Sequence, residues 1–153
     1  MKIRKARPTD ATIIAAFNRN LAWETEKLKL NRRIVDRGVR ALLKDPAKGI
    51  YFVAEQDGAV VGQLMITYEW SDWRNGNIWW IQSVYVAAEF RQQGVFRRLF
   101  QHVGKLGRSR REVCGLRLYV EKNNRRAHNA YERLGVKHTH YEIYETAFRA
   151  LES

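Results

Sequence analysis

The residues best suited to chemistry stand in two short stretches. The first, Val84 to Arg98, reads VYVAAEFRQQGVFRR. An alternating apolar run stops, polar residues follow, and Gly94 opens a helical pattern with Val95, Leu99, Val103 and Leu106 on one face. The first amides of a helix lack intrahelical acceptors and carry about half a positive charge. A glycine there lets an anion reach the backbone. Arg91, Arg97 and Arg98 add positive charge around it. The chemistry this favours is the binding of a phosphate, above all a pyrophosphate. The second stretch, Val120 to Val136, reads VEKNNRRAHNAYERLGV. It forms a short helix closed by Gly135, with Ala127, Tyr131 and Leu134 in one stripe.

Other chemistry-bearing residues point less far. His138 and His140 share a strand face, but no cysteine or third histidine stands at a matching spacing, so a surface role is expected and no metal. Cys114 opens an apolar strand and reads as a buried small hydrophobe, not a nucleophile. The basic run Lys105 to Glu112 complements a helix end, or holds a phosphate or nucleic acid.

The elements that position these residues follow from periodicity. Met1 to Ala6 is a short strand, and Pro8, Thr9 and Asp10 open a helix with Thr9 as the expected N-cap. A second helix runs from about residue 31 to 43. GIYFVAE and AVVGQLMITYEW form a hairpin across Asp57-Gly58. IWWIQSVYVA is the next strand, with Trp79 and Trp80 on opposite faces. The helix after Gly94, the strand CGLRLYV, the Asn124 helix and a last strand, THYEIYETAF, complete the chain. Hairpin-linked strands come first and crossover-linked strands follow. That order predicts an α/β fold of α+β type, with an antiparallel N-terminal half and a parallel step around the Gly94 helix.

Composition narrows the class. The chain has 153 residues, 45% of them apolar, enough for one globular domain with a real core. The charged start, MKIRKARPTD, has no signal-peptide core, no run is long enough to span a membrane, and the lone cysteine excludes a disulfide framework. A cytoplasmic protein with no membrane partner is the simple expectation. The net charge of +12 favours an anionic partner without choosing it.

The two stretches together, in this element order, resemble the GNAT superfamily of N-acetyltransferases over nearly the whole chain. That family's loop reads Arg/Gln-x-x-Gly-x-Gly/Ala, here Arg91-Gln92-Gln93-Gly94-Val95-Phe96. Its later helix reads Asn-x-x-Ala-x-x-x-Tyr-x-x-x-Gly, here Asn124, Ala127, Tyr131 and Gly135. The resemblance implies a single domain over residues 1–153 with a mixed sheet splayed beside the Gly94 helix. It implies acetyl-CoA as donor and a primary amine as acceptor, on a small molecule or a peptide, attacking directly in a ternary complex without metal. Pantetheine would lie along the backbone of Val84, Tyr85 and Val86. The pyrophosphate would lie over Arg91, Gln92, Gln93, Gly94, Val95, Phe96 and Arg97. Asn124 would contact the cofactor arm and cap its helix, Ala127 would give room, and Tyr131 would be the general acid that protonates the leaving thiolate.

Phe96 departs from the family's small residue and is expected to turn into the core beside Phe100, one turn on. The strand before the loop, IQSVYV, holds no carboxylate, so Glu24 and Glu69 are candidate bases, with Asp72 and Tyr141 behind them. Trp23, Trp70, Trp73, Tyr141 and Tyr144 are candidate acceptor walls. The oligomeric state is open, a homodimer included. The alternative is a non-catalytic basic module of the same fold that binds nucleic acid or acyl-CoA, although no nucleic-acid recognition motif accompanies the charge.

Overall fold

The computed structural model describes residues 1–151. Five strands form one sheet in the order β1-β2-β3-β4-β5: β1 (Lys2–Lys5), β2 (Ile50–Gln56), β3 (Ala59–Ser71), β4 (Gly76–Val86) and β5 (Val113–Arg117). The first four pair antiparallel, and β5 pairs parallel to β4 after the crossover through helix α3 (Val95–Arg108). Asp57 and Gly58 turn the β2–β3 hairpin with φ of 51° and 79°, the two left-handed positions of a type I′ turn.

Helices α1 (Ala11–Glu26) and α2 (Arg32–Lys44) cover one face of the sheet, where Ile14, Val39, Tyr51 and Val53 are buried together. α3 covers the other, against Phe52, Leu64, Ile66 and Trp79. Trp80 faces away from that core, as strand alternation requires. A last short helix, α4 (Arg125–Arg133), follows β5, and Gly135 ends it at φ 84°.

The cap before α1 is Asp10, not Thr9. A turn of 3-10 helix, Pro8–Asp10, precedes α1, and the Asp10 carboxylate accepts from the Arg7 amide at 2.6 Å and from Arg4 at 2.8 Å. A threonine hydroxyl carries no charge to hold that arginine. Cys114 is exposed, not buried, because β5 is an edge strand; its thiol donates to the Asn77 carbonyl at 3.3 Å. The last predicted strand also does not form: among the described residues no strand follows β5. Tyr141, Ile143, Tyr144 and Phe148 are all exposed. Alternation alone stabilises no strand without an edge to pair with and a face to bury.

Candidate active site

The site begins where two strands part. β4 pairs with β3 as far as Gly62↔Val86, but with β5 only as far as Trp80↔Arg117. Residues 81–86 of β4 therefore have an unpaired edge. The Ala87 amide donates toward β3, to Val61 at 2.9 Å. Strand alternation then turns the backbone groups of Val84 and Val86 toward the open edge.

A kink helps to part the strands. Ser83 sits at φ 51°, and the β3–β4 register shifts between Gln63 and Met65. Fully buried Gln63 donates from Nε2 to the Ser83 carbonyl at 3.1 Å and to Asn18 Oδ1 at 2.8 Å. Asn18 donates in turn to the Tyr51 hydroxyl at 3.0 Å. The buried Gln63 NH2 group is held by its two partners, one of them the kinked backbone, while its Oε1 has no hydrogen-bond partner among the described residues.

The gap opens into a groove of about 2360 Å³. The first turn of α3 forms one end. Gly94 is its N-terminal flanking residue at φ 78°, a Cβ placed there would meet nothing within 4 Å, and no side chain caps the helix. Free amides thus face open space. Arg91 is anchored beside them: Nε donates to the Val86 carbonyl at 2.9 Å and Nη2 to Glu24 Oε2 at 2.7 Å. The other Glu24 oxygen accepts from the Tyr85 hydroxyl at 2.9 Å, so α1 is tied to both strand end and loop. Burial, and then Glu24, push the Tyr85 phenol pKa up. Gln93 donates to the Glu89 carbonyl at 2.9 Å.

α4 forms the facing wall. Asn124 Oδ1 accepts from the Ala127 amide at 3.1 Å and starts the helix. Tyr131 lies one face further on, and burial raises its phenol pKa. The Phe96 ring turns away from the loop backbone, 5.9 Å from Phe100 and edge-on to Tyr131 at 5.5 Å. It packs as expected beside Phe100 and also braces the tyrosine.

Comparison with known proteins gives this geometry a family. The acetyltransferase (GNAT) family matches residues 14–136. The chain belongs to that family. A possible acetyltransferase from Clostridium difficile 630 is 46% identical, with a TM-score of 0.91 over 97% of this chain and 98% of that one. Thialysine N-epsilon-acetyltransferase from Bos taurus is 28% identical over 88% of this chain and 83% of that protein. The aminoglycoside N-acetyltransferase AAC(6')-Iy, crystallised with CoA, shares the fold at a TM-score of 0.80 and 16% identity, over 97% of this chain and 95% of that one. The GNAT fold and N-acetyltransferase class expected from the two stretches therefore hold.

The residues of this GNAT chain fit coenzyme A on two counts: a strand edge with no strand partner among the described residues, whose Val86 carbonyl alone is taken by Arg91, and uncapped helix amides beside a glycine with clear space around it. Val84, Val86, Arg91, Gln92, Gly94, Val95, Phe96 and Arg97 line the groove together with Asn124, Ala127, Tyr131 and Glu24. Tyr85 and Gln93 do not. The Tyr85 ring turns to Phe17 of α1, 4.9 Å away. Glu69, Asp72, Trp23, Trp70, Trp73, Tyr141 and Tyr144 also lie outside the lining.

Sequence reading passed over Gln63, Asn18 and the Ser83 kink, and also Arg117 and Tyr119. The last two had a signal: in LRLYV they alternate with Leu116 and Leu118, which pack on the α3 core. Arg117 and Tyr119 are not part of that core.

Among the described residues no helix is long and apolar enough to cross a membrane, and no group of three or more metal-ligating side chains occurs.

Proposed function

We propose that the chain transfers an acetyl group from acetyl-CoA to a primary amine, by direct attack in a ternary complex, with Tyr131 as the general acid. One observation carries the reading: the open edge of β4 and the half-buried Tyr131 line the same groove. The name of the bovine relative, an acetyltransferase of an Nε amine, supports the acceptor class.

Acetyl-CoA supplies an acetyl thioester. The Val84 and Val86 backbone holds its extended arm as an added strand. The first turn of α3, with Arg97, holds the pyrophosphate, and Arg91 is the fixed post of the loop. Amides of the open edge steady negative charge on the acetyl oxygen during attack. Tyr131 gives its proton to the sulfur. Because burial raises its pKa, the phenol stays protonated up to at least the ordinary tyrosine value of about 10. Activity then rises with pH as the amine deprotonates, and falls only beyond that value.

The oxygens of Glu24 and of Glu69 are all engaged, by Tyr85 and Arg91 in one case and by Trp80 and Arg117 in the other. Both are read as positioning residues, and the amine gives its proton to water in the open groove.

The test is a calorimetric titration of acetyl-CoA against the wild type and Gly94→Glu. Micromolar binding lost in a folded variant is expected. A wild type that binds no acetyl-CoA overturns the reading.

A further inference from the structure

A second constellation sits beside the groove, on the sheet face that α1 and α2 cover only in part. Trp80 of β4 pairs with Arg117 of β5, and Glu69 of β3, which pairs with Ile78, is the diagonal neighbour of Trp80 on the same face. Glu69 Oε1 accepts from the Trp80 indole at 3.1 Å, and Oε2 accepts from Arg117 Nη1 at 2.7 Å. The Arg117 guanidinium lies 5.8 Å from the Trp80 ring and 6.0 Å from the Tyr141 ring. Tyr119 stacks near Trp80 at 5.7 Å and lines the groove with Ser83 and Tyr131.

None of these side chains belongs to either buried core. A half-exposed ion pair contributes little to stability. Yet the guanidinium is ion-paired to a carboxylate and flanked by two aromatic rings. Among the described residues its Nε and Nη2 make no hydrogen bond. A planar fork with Nη1 committed and the Nε–Nη2 edge without a protein partner among the described residues matches a carboxylate. Glu69 offsets the resting charge, which disfavours anions that do not reach the fork.

We propose that Arg117, braced by Glu69 and Trp80, binds a carboxylate of the acceptor. The acceptor is then an aliphatic amino acid or similar small molecule whose reacting amine and carboxylate stand far apart. Arg117 ends β5 two positions before Tyr119, and Trp80 stands three positions before Ser83 on β4, which at an extended rise sets that distance at about 7–10 Å. This rests on reading the groove as the site of acetyl transfer, since Tyr119 is the link between the two.

Lysine and cadaverine test it, because they share the long-chain amine and differ by the carboxylate. With wild-type protein, kcat/KM for lysine exceeds that for cadaverine by about 10- to 100-fold, the worth of a charge-assisted hydrogen bond. Arg117→Met removes the preference and leaves the KM for acetyl-CoA unchanged. Glu69→Gln shifts it the other way, toward tighter lysine, because a repelling charge next to the carboxylate is gone. A purely structural role moves both variants in the same direction, and that result overturns the proposal, as does equal use of the two amines by the wild type.

The same two compounds titrated into the CoA-saturated protein read the subsite without turnover. Lysine binding lost in Arg117→Met with no acetylation of any amine would refute the transferase reading alone. Lysine bound equally by wild type and Arg117→Met would refute the subsite alone. If Arg117→Met fails to fold, the Glu69→Gln direction still decides.

Discussion

The two ends of β4 differ more than any other two regions of the molecule. Its first half is paired on both sides, to β3 and β5, and Ile78 and Trp79 there are buried. Its second half is paired on one side only, and carries a left-handed serine held by a buried glutamine. The paired half stands for regular alternation, where burial sets each residue. The parted half stands for backbone left without a partner, where specific polar contacts must hold the shape. The difference teaches that the groove is built by withholding one strand from its neighbour, and that the residues which hold it open lie beneath it.

Predictions can press on either half. The largest effect falls in the parted half. Tyr131→Phe should cut kcat by about 10²–10⁴-fold with acetyl-CoA affinity and thermal midpoint unchanged. Unchanged turnover with intact binding would remove Tyr131 as the acid. The regular half answers with stability instead. Leu99→Ala, at a fully buried position against the sheet, should cost about 2–5 kcal/mol in denaturant unfolding. Acetyl-CoA affinity of the folded fraction should not move, and a lost affinity would mean the two halves are coupled.

A smaller effect is set by acid. The hydrogen bond from Arg4 holds the Asp10 carboxyl below its ordinary range, against the opposing effect of burial. This pair therefore stabilises the fold fully above about pH 4, and its contribution is lost as pH falls through the depressed pKa of Asp10. Thermal midpoints measured across that window should fall for the wild type and less steeply for Asp10→Asn. Equal slopes would mean that other carboxylates carry the acid sensitivity. The smallest effect belongs to the exposed tail. Phe148→Ser, 93% exposed before the change, should alter stability by less than about 0.5 kcal/mol.

Much was legible without coordinates because it depends on neighbours in the chain. The Asp57-Gly58 turn, the Gly94 junction, the Asn124 cap and the closing Gly135 are each fixed by a few adjacent residues, and each forms where periodicity puts it. The family, too, was readable from two local patterns. The antiparallel half and the parallel step followed from connection lengths.

Tertiary structure alone decided the rest, since it concerns residues far apart in sequence. Glu24 meets Arg91 across 67 positions, Gln63 meets Asn18 across 45, and Glu69 meets Arg117 across 48. No periodicity encodes such pairs, because a carboxylate's partner is set by where the strands stop pairing. The failed last strand makes the same point. Its alternation was real, but strand formation needs an edge and a buried face, and these belong to the assembled sheet. The sequence by itself determined the turns, the family and the elements up to the Asn124 helix. The assembled fold decided which polar groups would be spent on holding the groove and which would be left free to use it.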